Sequence, residues 1–337
     1  MFYSQNPFPW ESPLPPFPPP VNPWKRVLRH NSLIVCGALL LLLALMTGTP
    51  FVIYWLGQLF PVLGEVLSAL PTFALELGDV VLTIFILLIP CLLMVFLLEI
   101  PAEVAFPRKV PKPRLLIPGI LCCLGMSAVG VMLSGYLQAL LATVLGVVPV
   151  MPDQSPPYGV LEAMFYFLQI ALLPAIFEEM IFRGVVLQSL RRFGDGFALV
   201  VSSILFACAH GNLVQAPNAL LTGMVLGYFA LRTGSLLTPM LMHFVNNGIA
   251  ALVNLGMLYL PAEFYELLNS MILPIYLVLG GLGVVLMFVC NEGFVPLYTT
   301  DTGMGSREKF GRFFTTPLAI VYLLLTLYVT ALNFAPI

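Results

Sequence analysis

Long apolar segments recur along nearly the whole chain, and they constrain its fold more than any other feature. A helix needs roughly 20 apolar residues to cross the hydrocarbon core of a bilayer, and inside that core every backbone N–H and C=O must be satisfied within the protein. The candidate segments are residues 32–57, 80–98, 115–146, 160–182, 197–214, 218–231, 235–255, 269–290 and 315–334. We therefore predict an all-α, polytopic transmembrane helix bundle of about eight or nine spans.

The composition excludes several functional classes. Hydrophobic residues make up 60% of the chain and charged residues only 9%, whereas soluble domains carry about 25% charged residues. With a net charge of −2 and basic residues confined to short clusters, the chain offers no electrostatic surface for nucleic acid. The six cysteines lie within or at the ends of apolar segments, without the even spacing of a secreted disulfide framework.

Basic residues predict the orientation of the bundle. Loops on the cytoplasmic side of a membrane carry an excess of Lys and Arg, and here every basic residue except Arg183 precedes the first span or falls in an alternate loop. These residues are Lys25, Arg26, Arg29, Arg108, Lys109, Lys112, Arg114, Arg191, Arg192, Arg232, Arg307, Lys309 and Arg312. We expect a multi-pass protein of the cell (inner) membrane with a cytoplasmic amino terminus.

Residues 1–30 precede the first apolar segment, and prolines interleaved with aromatic residues dominate their sequence. Such a tract favours polyproline II and cannot build a packed core. We predict a disordered cytoplasmic tail. A ligand for a proline-binding partner is the alternative.

Two adjacent acids, Glu178 and Glu179, interrupt the apolar run LLPAIFEEMIFRGVVL, and Arg183 follows them. Ionisable groups at membrane depth are costly, which makes them candidates for a functional site. A helix turns about 100° per residue, so the two acids cannot share one direction. Glu179 and Arg183 have the i, i+4 spacing of a helical ion pair, which leaves Glu178 free to face a cavity. A purely structural ion-pair cluster joining two helices is the alternative.

Two histidines lie in other apolar segments, each one helical turn from a second notable residue. His210 follows Phe206 by four residues, and His243 precedes Asn247 by four. Alone, either histidine would fit an ordinary hydrogen-bonded packing role. Together with an unpaired glutamate in a neighbouring span, they provide the acid, base and amide groups of a buried catalytic site.

In this order, the residues resemble the three motifs of the CPBP intramembrane proteases, also called the CAAX protease or ABI family, which includes the type II CAAX prenyl proteases. The motifs are two glutamates followed after three residues by arginine, phenylalanine followed after three by histidine, and histidine followed after three by asparagine. They match Glu178, Glu179 and Arg183, then Phe206 and His210, then His243 and Asn247.

The resemblance covers roughly residues 160–250, the family's core of about four spans. It implies a four-helix catalytic core at 159–255, between N-terminal transmembrane helices at 31–158 and C-terminal transmembrane helices at 256–337.

The resemblance also implies a reaction, hydrolysis of a peptide bond by an intramembrane endopeptidase. The partners it implies are the lipid bilayer and a membrane-embedded or lipid-anchored substrate, such as a CAAX-like protein. By the family's description, Glu178 and His210 activate the attacking water, while His243 and Asn247 hold the oxyanion. The remaining motif residues support the site.

Metal dependence divides two descriptions of this family. On an older view its glutamates and histidines bind zinc, and Glu178, His210 and His243 could ligate zinc with an open position for water. The chain contains no His-Glu-x-x-His motif. We expect a glutamate-dependent enzyme without a cofactor, with a zinc metalloendopeptidase as the alternative.

A non-enzymatic function is a further alternative. Transporters also bury acids and histidines at helices interrupted by proline, and Pro174, Pro217 and Pro239 would suit such a protein. The sequence has no second, symmetry-related copy of the polar set. A scaffold or immunity-type protein with a degenerate site is the last alternative, although all the motif residues are intact.

Overall fold

A computed structural model describes residues 22–150, 159–291 and 293–336, and most of them are helical. The helices are α1 (Pro23–Leu59), α2 (Pro61–Ala69), α3 (Thr72–Leu97), α4 (Ala102–Ala105), α5 (Pro113–Leu145), α6 (Val160–Phe167), α7 (Leu173–Glu179), α8 (Leu187–Leu190), α9 (Asp195–Ala209), α10 (Ala216–Thr233), α11 (Leu237–Tyr259), α12 (Ala262–Asn291), α13 (Ser306–Phe314) and α14 (Pro317–Leu332). Two short strands, β1 (Val147–Pro149) and β2 (Phe334–Pro336), pair antiparallel. The predicted all-α bundle is confirmed.

The number of spans is somewhat lower than the eight or nine predicted. Within the described residues, six helices are long and apolar enough to cross a membrane, and the bent pair α13–α14 is a seventh if it forms one span. The six are α1, α3, α5, α11, α12 and the continuous helical stretch Val160–Phe193. The segments 197–214 and 218–231 were counted as spans from their apolar composition. They form the shorter helices α9, of 15 residues, and α10, of 18 residues.

The boundary of the proline-rich tail lies earlier than predicted. Residues 1–21 lie outside the described part of the chain, so the prediction of disorder remains a prediction for them. Residues 23–30, however, form the first two turns of α1. The Asn22 side chain accepts a hydrogen bond from Trp24 N at 3.0 Å, and Pro23 occupies the first helical position, where no N–H is needed.

The basic loops meet at one end of the bundle, which we call the basic end. The contacts that join them include Lys25 Nζ to Glu308 Oε1 (2.9 Å), Lys309 Nζ to Phe193 O (2.6 Å) and Leu236 N to Pro107 O (3.0 Å). An excess of Lys and Arg on the cytoplasmic side requires these loops to lie on one side of the membrane. That the basic end is cytoplasmic remains a prediction.

Helix α5 packs against both α10 and α12, and glycines allow the close approach. A Cβ atom built on Gly280 of α12 would lie 2.5 Å from the Cα of Gly125. A Cβ on Gly130 would lie 2.5 Å from the Cα of Asn218 on α10. Small residues let membrane helices bring their backbones together. Helices α10 and α12 therefore flank α5 as close neighbours.

The glutamate pair lies in a helical stretch that is not regular. Segments of π-helix occupy Leu168–Leu172 and Met180–Val186, on either side of α7. Such π-helical turns are rare and are frequently found at functional sites. Both acids therefore lie at the end of a short α-helical segment between two irregular ones.

We expect Gly280→Ala to lower the free energy of unfolding by roughly 1–3 kcal/mol, because the new methyl group must displace the α5 backbone. Gly281→Ala is the matched control, since a Cβ at Gly281 meets no atom within 4 Å; it should be neutral or slightly stabilising. Thermal unfolding of both variants in detergent micelles measures the difference. Equal stabilities would contradict the packing described for α5 and α12.

Candidate active site

A buried ion pair lies at the centre of the candidate site. Arg183 Nη1 is 2.7 Å from Glu179 Oε1, and both side chains are fully shielded from solvent. The other terminal guanidinium nitrogen, Nη2, donates a hydrogen bond to Gly223 O at 3.2 Å. A buried charge is tolerated when it is paired and hydrogen-bonded. The pairing expected from the i, i+4 spacing is therefore present.

His243 on α11 joins the same carboxylate. Its Nδ1 lies 2.8 Å from Glu179 Oε1, and because a carboxylate only accepts hydrogen bonds, Nδ1 carries the proton. The other ring nitrogen, Nε2, lies 3.1 Å from Asn247 Nδ2, which also donates to Ile170 O at 3.1 Å. In a neutral ring Nε2 is then the acceptor. Two family motifs, distant in sequence, thus form one hydrogen-bonded series from Arg183 to Asn247.

Phe206 brings His210 next to this series. The Phe206 ring contacts the His210 ring edge-on at 4.8 Å and the His243 ring at 6.0 Å between centroids. The Arg183 guanidinium lies 4.2 Å from the centre of the same ring, a cation–π contact. His210 Nδ1 lies 2.9 Å from Phe206 O, one turn back in the helix. If Nδ1 donates to this carbonyl, Nε2 of His210 is left with a free lone pair.

Both histidines line one small cavity of about 200 Å³, which we call the histidine cavity. Phe206 and Asn247 also line it. A second cavity of about 410 Å³, the asparagine cavity, shares Asn218, Asn246, Asn247, Ala250 and Asn254 with the first. Of these asparagines, only Asn247 belonged to the predicted site. Asn218, Asn246 and Asn254 could have been predicted from the sequence, because buried amides in otherwise apolar membrane helices are costly and therefore indicate a function.

Glu178 faces away from the histidines. It lines a larger cavity of about 640 Å³, the Glu178 cavity, between α1, α3 and α7. Its Oε2 atom is buried and has no hydrogen-bond partner among the described residues. Glu179 Oε2 is buried without a partner as well, so Glu178 is distinguished by lining this cavity and by forming no hydrogen bond with the described residues. The separation of the two acids expected from their adjacent positions is therefore observed.

The structure differs from the sequence-based roles in two respects. Glu179 was expected to be held by Arg183 alone, but it also accepts the hydrogen bond of His243. Glu178 and His210 were expected to act on one water. In the described part of the chain, no hydrogen bond joins Glu178 to His210, and the two line different cavities.

The zinc alternative requires several ligands close together. Over residues 22–150, 159–291 and 293–336, no three side chains of His, Cys, Asp or Glu converge as a metal-binding group. Glu178, His210 and His243 do not form a ready set of ligands, because the glutamate lines one cavity and the histidines another.

Comparison with known proteins agrees with the motifs. Residues 160–249 match the family described as type II CAAX prenyl endopeptidase Rce1-like, which supports the resemblance to the CPBP, or CAAX protease, family seen in the motifs. An Escherichia coli protein described as an uncharacterized 24.3 kDa protein is 29% identical over 133 residues, covering 38% of this chain and 59% of that protein. The chain thus spans less than two thirds of that relative's length. No solved structure matches the chain.

We expect Arg183→Met to lower the free energy of unfolding by about 3–5 kcal/mol, because it leaves the Glu179 carboxylate buried without its cation. The matched control is Arg312→Met. Arg312 forms an i, i+4 ion pair with Glu308 in which the two side chains are 32% and 34% exposed, so the expected loss is much smaller. Thermal unfolding in detergent compares the two. Similar losses would show that the buried pair contributes no more than a surface one.

Proposed function

We propose that this chain is an endopeptidase that hydrolyses a peptide bond of a membrane-embedded or lipid-modified, CAAX-like substrate. The observation that best supports the proposal is the buried series Arg183, Glu179, His243 and Asn247, beside a cavity that His210 also lines. Proteolysis by water requires a base, an oxyanion site and groups that orient them. The family match supports a CAAX-type protease in general.

In this proposal His243 and Asn247 stabilise the oxyanion. The Glu179 carboxylate accepts the Nδ1–H of His243 and so orients its ring; a protonated ring would present its Nε2–H to an oxyanion. Asn247 Nδ2 has two hydrogens, and the one now directed at His243 Nε2 could turn to the same oxygen. Each such donor contributes roughly 3–4 kcal/mol to transition-state stabilisation in proteases where it has been removed.

In this proposal Glu178 and His210 activate the attacking water. His210 Nε2 carries a lone pair, and Glu178 Oε2 has no hydrogen-bond partner among the described residues. Glu179 Oε2 lacks a partner as well, but Glu179 Oε1 is held by Arg183 and His243. A water within reach of both would lose a proton to one of them as its oxygen attacks the scissile carbonyl. Because the two groups line different cavities, the substrate must place its peptide bond where both can reach the same water.

The substrate's hydrocarbon part would occupy the Glu178 cavity. Its volume of about 640 Å³ lies within the range of roughly 300–1,000 Å³ that is common for small-molecule sites. The apolar lining side chains include Met46, Ile53, Leu82, Ile86 and Leu87. A lipid anchor or a transmembrane side chain held there would bring the adjoining peptide bond to Glu178.

Glu178→Gln and His210→Ala should each lower kcat by about 10²–10⁴-fold, because each removes a group that accepts the proton of water. The assay is cleavage of a farnesylated CAAX peptide by the full chain in detergent micelles. An unprenylated peptide of the same sequence tests the need for the hydrocarbon. Glu162→Gln is the control, since it removes an acid of the same helical stretch that lines neither cavity. Full activity in either site variant would refute the assignment.

Glu179→Gln separates the two glutamates. Because Glu179 has two buried partners, this variant should lower the unfolding temperature together with activity. Glu178→Gln should lose activity while its unfolding temperature stays close to that of the unmodified chain, since the change breaks no hydrogen bond with a described residue. The reverse pattern would assign the catalytic role to Glu179.

Metal dependence is tested independently of the variants. We expect chelator-treated protein to keep its peptidase activity, because the described residues hold no converging ligand set. Metal analysis of the treated protein establishes that zinc has been removed. Activity that disappears on chelation and returns with zinc would support the metalloendopeptidase alternative.

A further inference from the structure

A basic cavity of about 310 Å³ lies at the basic end, away from the candidate active site. It is lined at the beginning of α5 and the end of α10, and Cys290 of α12 completes it. Its basic side chains are Lys109, Lys112, Arg114 and Arg232. None of the described residues that line it is acidic. The cavity therefore favours an anion.

The loop that carries the two lysines is held in place. Leu236 N donates a hydrogen bond to Pro107 O at 3.0 Å, and the Ser235 hydroxyl donates to Lys109 O. These bonds attach the loop to the turn between α10 and α11. The side chains of Lys109 and Lys112 remain exposed, while Arg114 and Arg232 have interactions of their own. The lysines are thus the groups available to a ligand.

A second, apolar cavity of about 570 Å³ lies between α10 and α12 on the surface of α5. Almost all of its lining is apolar. The residues are Cys122, Gly125, Met126, Val129, Leu199, Leu221, Met224, Val225, Tyr228, Phe229, Leu277, Gly280, Gly281, Val284 and Phe294. A Cβ at Gly281 would meet no atom within 4 Å, so this part of the cavity is open.

The two cavities follow one another along the same helix faces. On α5, Leu115 of the basic cavity is seven residues from Cys122 and eleven from Met126 of the apolar one, spacings that return to the same face. On α10, Arg232 is four residues from Tyr228. Seven residues of helix correspond to about 10 Å. A cationic site and a hydrocarbon site therefore follow one another along the axes of α5 and α10, with the cationic site at the basic end.

We propose that these two cavities together bind one anionic phospholipid. Lys109 and Lys112 contact the phosphodiester, and an acyl chain lies in the apolar cavity against Gly281. Basic cavities between membrane helices near a charged leaflet suit lipid phosphates. The apolar cavity can hold an acyl chain, which a lipid has and a free phosphate lacks. This site is independent of the peptidase reaction.

The test measures lipid binding to the purified full chain in detergent by native mass spectrometry. The probes are dioleoyl phosphatidylglycerol, which is anionic, dioleoyl phosphatidylcholine, which has the same chains and no net charge, and inorganic phosphate. The anionic lipid should bind more tightly than the neutral one. The double variant Lys109→Gln with Lys112→Gln should weaken the binding of the anionic lipid by roughly 5-fold for each lysine, and so about 25-fold for the pair. The control is Arg108→Gln with Arg307→Gln, which removes the same charge from the same end without altering the cavity lining.

The apolar half is tested with Gly281→Leu, which fills the open part of the cavity. This variant should weaken the binding of both lipids. Gly135→Leu, at an exposed helical position with equal free space, should weaken the binding of neither. Equal binding of the two lipids, or equal losses in the lysine pair and its control, would overturn the proposal. Displacement of the anionic lipid by inorganic phosphate, with no effect of Gly281→Leu, would overturn it in favour of a free phosphate ligand. The lysine comparison decides the matter even if Gly281→Leu does not fold.

Discussion

The guanidinium of Arg183 lies inside the helix bundle, where an unpaired cation would cost several kcal/mol. Its surroundings show how that cost is offset. The Glu179 carboxylate, the Gly223 carbonyl and the face of Phe206 contact it. A side chain at Gly223 would crowd it, since a Cβ there would lie 3.2 Å from Arg183 Nη2. One buried charge thereby joins the helical stretch around α7 to α9 and α10. The same carboxylate and the same aromatic ring position His243 and His210.

The neighbouring glutamate has a different environment. Glu179 Oε1 has two partners, Arg183 and His243, whereas Glu178 forms no hydrogen bond with the described residues, and the Oε2 atom of each acid is buried without a partner. A helix that places consecutive side chains about 100° apart can thus hold a structural anion and a reactive carboxylate side by side. The flanking π-helical segments lie on both sides of this pair, as is common where helices carry function. A single pair of acids therefore borders a polar, histidine-lined region and an apolar one.

Several features could be predicted from the sequence because they depend on local spacing. The Glu179–Arg183 pair needs only i, i+4 geometry, and the bundle needs only apolar segments of sufficient length. The count of spans was too high because an apolar window does not distinguish a membrane-crossing helix from a shorter one such as α9. The start of α1 was placed too late because the polar residues around Lys25 look like a tail, although Asn22 caps a helix there.

The sequence by itself determined the class of protein, the motif residues, and the division of the two acids, since helical geometry and hydropathy act within a few turns. Only the tertiary structure decided which groups meet. Glu179 and His243 are 64 residues apart, and no periodicity relates them. The same holds for the asparagines of the histidine cavity and for the placement of Glu178 against α1 and α3. These contacts depend on how helices pack, and packing is set by the shapes of many side chains at once, among them the glycines that bring α10 and α12 onto α5.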